Sequence, residues 1–275
     1  MKQGDLVSRK SYGSDVIFKI QEIVRQQAVL KGVDYRLMAD APFHDLVPVS
    51  ATDNFPSRAA HARLDEWLRS AKSRSASISQ RNPSYFELPG KVLHLDGDPA
   101  YLRKSMEIYG ALHIPAEGYY LHESKMPEAL YRLLPKVKPD ILVITGHDGL
   151  LKQKQDFNDL ANYKNSNNFV HAVGIARQFE RNRDALTIIA GACQSHFEAL
   201  LQEGANFASS PARVLIHALD PLYIAAKAAF TSVRETMNVV DVLEGTHSGM
   251  QGIGGIETRG SYRRGLPRLQ ITQKQ

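Results

Sequence analysis

Two short, uninterrupted apolar runs, DILVITG and ALTIIAGA, constrain this chain more than any other feature. Each is too short for a typical helix and lacks the polar alternation of a half-exposed strand. That is the pattern of a strand buried on both faces of a parallel sheet. The segments around them alternate in kind. KVLHLDG reads as a strand, Pro99 to Tyr109 as a helix, and AEGYYLH as a strand or an irregular stretch. MPEALYRLLPKV, NNFVHAVGIARQFE and PLYIAAKAAF read as helices, and SHFEALLQEG as a helix stopped by Gly204. ARVLIHA is expected to add one more strand. Alternation of this kind predicts an α/β fold: an open, mostly parallel sheet with helices on both faces.

The first fifty residues differ. GDLVSRK, VIFKIQEIV, QAVLKG, YRLMADAP and DLVPVS are short segments near period two, broken by Gly4, Gly13, Gly32, Pro42 and Pro48. Five such strands in that length predict a small SH3-like β-barrel over residues 1–50. It has no aromatic platform for nucleic acid, so a docking or folding role is expected. Residues 51–90 read as a linker with a helix opening at Pro56 and a polar stretch after Ala71. The α/β domain is expected over 91–256, followed by a basic tail over 257–275.

A single cysteine in 275 residues excludes an intramolecular disulfide and a cysteine-rich metal site. Cys193 is therefore either core filler or a working thiol. No stretch approaches the roughly 20 apolar residues of a membrane span. MKQGDLVSRK carries charge with no apolar run behind it, so the expectation is a chain without a signal peptide that stays inside the cell. The net charge of +5 gathers between Arg58 and Arg81 and after Thr258, and reads as solvated surface rather than a nucleic-acid footprint.

In parallel α/β sheets the reactive groups gather beyond the carboxyl ends of the strands. DILVIT runs into Gly146-His147-Asp148-Gly149, and LTIIAG into Ala192-Cys193-Gln194-Ser195. Both side chains then emerge at one sheet edge as a candidate dyad. A thiol of ordinary pKa about 8.5 is mostly protonated at neutral pH, and the thiolate is the nucleophile. A nearby imidazole accepts that proton and later protonates a leaving amine. A helix beginning near Ser195 would favour the thiolate, and the amides of Asp148 or Gly149 could hold an oxyanion.

An apolar strand ending in His-Gly, followed later by one ending in Ala-Cys, is the pattern of the caspase-like peptidases of clan CD, which this chain resembles. The order His before Cys fits that group; glutamine amidotransferases place the nucleophilic Cys first. GDLVSRKSYGSDVIFKI, KVLHLDGDPAYL, ITGHDG and AGACQSHFEA together resemble, end to end, the YabG family of sporulation proteases. The resemblance implies a caspase-like fold, His147 and Cys193 as catalytic residues, and action in the mother-cell cytoplasm and on the spore coat. It also implies coat proteins as substrates and cutting at basic residues, with no metal or organic cofactor. One departure is Asp148, which stands directly after the histidine where the wider group has glycine. The oxyanion donor is then the amide of Asp148 or of Gly149.

Basic specificity needs a carboxylate to pair with an Arg or Lys side chain. In basic-specific members one acid follows the first strand of the sheet, and another can lie two residues before the cysteine. The latter position is Gly191 here. Asp96 and Asp98 are the candidates, with Asp220 and Asp148 behind them, although Asp98 could simply cap the helix at Pro99. His217 and Asp220 have helix-like spacing, but no histidine pair forms a zinc motif. GMQGIGGIETRG is expected to be a mobile loop or a peptide-binding wall. KVLHLDGD is locally similar to response-regulator receivers, as many α/β strands are. Arginines in loops, such as Arg74, Arg81, Arg259, Arg263 and Arg264, make self-processing conceivable. The rival reading is a non-catalytic coat-assembly protein that docks through the barrel and basic surface, with Cys193 as core filler.

Overall fold

The computed structural model describes residues 1–50, 85–151 and 156–266. The helix expected from Pro56, the polar stretch after it and the last residues of the basic tail lie outside the described residues.

The amino-terminal strands are β1 (Leu6–Arg9), β2 (Phe18–Val24), β3 (Gln27–Gly32), β4 (Met38–Pro42) and β5 (Leu46–Pro48). They form one antiparallel sheet in the order β4-β3-β2-β1-β5. Alternation buries Val7, Phe18, Ile20, Ala28 and Leu30 on one face, where they make a small core of their own. The expected closed barrel is absent: no ladder pairs β4 with β5 among the described residues. The sheet is nonetheless curled. Pro42 and Leu46 can stand at most about 14 Å apart along the chain, whereas the edges of a flat five-stranded sheet are about 19 Å apart. The turn Phe43–Asp45 thus brings the two edges close without the register that would close them.

The rest of the chain follows in order. A short β6 (Phe86–Leu88) precedes β7 (Val92–Asp96), α1 (Pro99–Ala111), β8 (Ala116–Tyr120), α2 (Met126–Val137) and β9 (Ile141–Thr145). Then come α3 (Ser166–Phe179), β10 (Thr187–Ala190), α4 (Phe197–Glu203), β11 (Phe207–Ser209) and α5 (Asp220–Phe230). The chain continues through β12 (Thr236–Met237), α6 (Val239–Glu244), α7 (Gly249–Gly252), β13 (Ile253–Gly255), β14 (Thr258–Arg259) and β15 (Arg263–Gly265). Six strands form the main sheet in the order β13-β11-β10-β9-β7-β8. All its pairs are parallel except β11 with β13.

Alternate residues of the central strands feed two cores. Val92, Ile141, Val143, Ile189 and Phe207 face α1, α5 and α6, while Leu93, Leu95, Leu142, Ile144 and Ile188 face α2, α3 and α4. Full burial of each such side chain contributes about 1.5–3 kcal/mol. This explains the absence of polar alternation in DILVITG and ALTIIAGA.

Three segments depart from expectation. ARVLIHA makes no strand; its backbone groups go instead to loops. Gln194 N–H donates to Val214 O at 3.2 Å, and Ala218 N–H donates to Asp34 O at 2.8 Å. GMQGIGGIETRG is not an open loop: α7, β13 and β14 organise it. Residues 258–265 pair in ladders, β12 with β14 and β6 with β15.

Candidate active site

β9 and β10 are parallel neighbours, with Ile144 opposite Ala190. His147 and Cys193 each lie three residues beyond that pair, so both leave the sheet at the same edge. The His147 loop is held at several atoms. Its backbone N–H donates to Glu123 Oε1 at 2.8 Å, and its carbonyl accepts from Asn165 Nδ2 at 2.8 Å. On the ring, Nε2 lies 2.9 Å from Asp98 Oδ2 and Nδ1 lies 3.3 Å from the carbonyl oxygen of Arg36. Glu123 reaches the backbone through a gap left by two glycines. A Cβ on Gly97 or on Gly146 would collide with its carboxylate.

Cys193 is 1% exposed. Its Sγ lies 3.3 Å from the Ile216 N–H and 3.7 Å from the Ile216 carbonyl. Burial pushes the thiol up to about 11, against weaker opposition from hydrogen bonding by the Ile216 and Arg36 backbones and from the Arg36 charge. The turn that carries it is tight. Gly191 has φ +106° and Gln194 φ +57°, a left-handed region that favours glycine at the first position. Beyond this turn His196 is the N-cap of α4.

Asp148 connects the two loops. Its Oδ2 accepts from Ser195 Oγ at 2.8 Å and from Ser166 Oγ at 2.5 Å. Its Oδ1 accepts from the Asn165 N–H at 2.7 Å and the Gly149 N–H at 2.9 Å. Ser195 Oγ in turn accepts the Ala192 N–H at 2.9 Å. Burial raises the Asp148 carboxyl despite these four donors.

The remaining candidate acids occupy different places. Asp96, at the end of β7, pairs bidentately with Arg36: Nη1 to Oδ1 at 2.7 Å and Nη2 to Oδ2 at 2.9 Å. Both side chains are fully buried. Burial would raise the Asp96 carboxyl, but the Arg36 guanidinium and the His94 ring together hold the group low. Asp98 caps α1 through the Ala100 N–H at 2.9 Å, and it also meets His147 and Lys31 Nζ, the latter at 2.5 Å. Burial opposes its ionisation, while His147 and Lys31 hold it well below the usual carboxylate range. Asp220 accepts the backbone N–H groups of His247 and Ser248 at 2.8 and 3.1 Å, and burial raises it. Ser248 Oγ then accepts the His217 N–H at 2.8 Å, so Asp220 supports the 215–218 segment from behind.

No hydrogen bond joins His147 to Cys193 among the described residues; the His147 ring meets the Arg36 carbonyl, and Cys193 Sγ meets the Ile216 backbone. Sequence reasoning passed over Arg36, Glu123 and Asn165. None carries a local signal, because their partners lie 60, 24 and 18 residues away. No three His, Cys, Asp or Glu side chains converge as a metal-binding group among the described residues. No described helix is long and apolar enough to cross a membrane.

Comparison with known proteins adds a family. The family model described as YabG peptidase U57 matches residues 2–267. The chain is 46% identical over 281 residues to the sporulation-specific protease YabG of Bacillus subtilis (strain 168), covering 96% of this chain and 97% of that one. Among solved structures, the isolated REC domain of RcsB from Salmonella enterica serovar Typhimurium matches 43% of this chain and 74% of its own. It does so at 18% identity and a TM-score of 0.26, which is too low to bear on the fold.

Proposed function

This chain belongs to the YabG peptidase U57 family, and on that premise we propose that it is a cysteine endopeptidase of sporulation with Cys193 as nucleophile and His147 as general base. The observation that carries this reading is that both residues leave the same sheet edge, three positions beyond paired residues of adjacent parallel strands. Arg36 stands beside this edge: its carbonyl oxygen lies 3.3 Å from His147 Nδ1, and its guanidinium is bound by Asp96. These contacts support a reading in which a basic side chain and its carbonyl bind here. The exit of both residues from adjacent parallel strands supports a caspase-like arrangement.

The mechanism is acyl transfer. Asp98 accepts a hydrogen bond from the His147 Nε2–H, which keeps that proton on Nε2 and leaves Nδ1 as the base. Nδ1 takes the Cys193 proton, and the thiolate attacks the scissile carbonyl carbon. The Gly149 N–H is committed to Asp148 Oδ1, so the Asp148 N–H is the proposed oxyanion donor. Collapse breaks the C–N bond, and His147 returns its proton to the leaving amine. Water then hydrolyses the thioester and regenerates the thiol.

Asp96 is the proposed specificity acid, selecting Arg or Lys at the residue before the cut. Spore-coat proteins are the proposed substrates, with action in the mother-cell cytoplasm and at the coat. Burial of Cys193 favours the rival coat-assembly reading, in which the cysteine is core filler, so that reading belongs in the test. Wild type and Cys193→Ala are incubated with a peptide library, and the cuts are identified by mass spectrometry. Cutting after Arg or Lys by wild type alone is expected. Cutting by both would remove Cys193 from the mechanism, and no cutting by either would favour assembly.

A further inference from the structure

We propose that Arg36 is an internal occupant of the primary specificity pocket, so that the β3–β4 loop competes with substrate for the active site. The inference rests on the peptidase reading and adds to it a regulator carried by the same chain.

Six contacts make the loop resemble a bound peptide. The Arg36 fork meets both oxygens of Asp96, and its Nη2 also donates to Ala218 O at 3.1 Å. The guanidinium lies 4.8 Å from the centre of the Tyr101 ring, which walls the pocket. Upstream, Tyr35 bridges antiparallel to His217, and the Ala218 N–H donates to Asp34 O at 2.8 Å. That is how an extended peptide adds to an exposed backbone edge, and it explains why ARVLIHA forms no strand of the sheet. Finally, the Arg36 carbonyl oxygen stands 3.3 Å from His147 Nδ1.

Other features separate this loop from a substrate that is simply cut. The Leu37 N–H donates to Tyr35 O at 2.7 Å, which closes a three-residue turn centred on Arg36. The amide nitrogen that cleavage would release is thus turned back onto the loop. Tyr101 Oη lies 2.6 Å from Gly32 O and 2.8 Å from Tyr35 O, and Lys31 is anchored on Asp98. The Gly32 N–H donates to Leu37 O at 2.8 Å and ties the two ends of the loop together. Vacating the pocket therefore requires the hairpin to lift away from α1. A ligand whose site is free in only a fraction of molecules binds weaker by that fraction, and this effect can be measured.

The test uses the full chain as wild type, Arg36→Ala and Arg36→Lys. Initial rates are measured on a fluorogenic peptide amide with arginine before the cut. Arg36→Ala is expected to raise kcat/KM by about tenfold or more, chiefly through KM, as for a pocket free in about a tenth of molecules. Arg36→Lys, which keeps a charge but loses the fork, should give a smaller rise. Argininamide is also titrated by calorimetry into Cys193→Ala with and without Arg36→Ala. It should bind the double variant at least about tenfold more tightly. Arg36→Ala leaves the Asp96 carboxylate buried without its cation. If that variant does not fold, Arg36→Lys decides: a raised rate supports occupancy, and an unchanged rate overturns it. Where wild type cuts, folded variants that cut no faster also overturn it, as does argininamide binding alike to both backgrounds or to neither. A different pattern would sink the peptidase reading alone: no Cys193-dependent cutting by any form, with argininamide still preferring the double variant.

Discussion

Asp98 joins three functions at one carboxylate: it caps α1, anchors Lys31 of the amino-terminal sheet, and lies 2.9 Å from His147 Nε2. The third contact is the one with chemical content, because a carboxylate on one imidazole nitrogen fixes which nitrogen is free to act as base.

Asp98→Asn separates these functions. Asparagine is as good an N-cap as aspartate, so the helix should remain. The amide cannot enforce the same tautomer, and kcat should fall by about 10²–10⁴-fold, the span of general base catalysis. Steady-state kinetics beside a thermal melt would check this. A fall in KM-dependent terms with kcat intact would place Asp98 in binding instead.

The buried thiol predicts a pH dependence for labelling. With the Cys193 thiol pushed up to about 11, about one molecule in a thousand carries the thiolate at pH 8. Iodoacetamide labelling of wild type, followed by intact mass, should be slow at pH 8 and rise about tenfold per pH unit toward 11. Arg36→Ala loses a charge that favours the thiolate but loosens the loop, so it should label faster where access to the sulfur limits the reaction. A plateau near pH 8.5 in wild type would contradict the burial of the sulfur.

Stability should also depend on acid in a defined direction. Asp96 and Asp98 are both held below their ordinary value of 3.8. The unfolded chain then takes up protons first. The stability they supply is complete above that value and is lost as pH falls toward the folded values. Asp148 and Asp220 are raised and work in the opposite sense. Urea melts at pH 5 and pH 3 should show a larger loss in wild type than in Lys31→Ala, where the Asp98 shift is relieved. Equal losses would mean that the Lys31 contact does not form in solution.

The sheet and its reactive edge were legible because both are local in sequence. Apolar runs such as DILVIT declare strands buried on two faces, and the residues after them must emerge at one edge. The amino-terminal strands were legible from period two, but closure was not. Closure depends on the register between β4 and β5, which no short-range pattern specifies. ARVLIHA has a strand's composition, yet its backbone partners are the Cys193 turn and the β3–β4 loop, both distant in sequence. Arg36 was invisible for the same reason. In YRLMADAP it reads as an ordinary residue entering a strand, and only the fold sets it against Asp96, 60 positions on.

Glu123 offers the sharpest test of how the His147 loop is held. Its carboxylate occupies the space above Gly97 and Gly146, where a Cβ on either glycine would overlap it. Neither glycine has positive φ, so Gly146→Ala is tolerated by the backbone and acts only through that overlap. Overpacking of this kind costs about 1–3 kcal/mol. It should also displace the acceptor of the His147 N–H, lowering kcat by about tenfold or more if the loop shift misplaces the ring. Glu123→Ala in the Gly146→Ala background separates the two effects. Truncation removes the clash, so the melting temperature should recover toward wild type, while kcat stays low because the backbone N–H still lacks its acceptor. Recovery of both would reduce Glu123 to a packing residue; recovery of neither would mean that the overlap is relieved elsewhere in the loop.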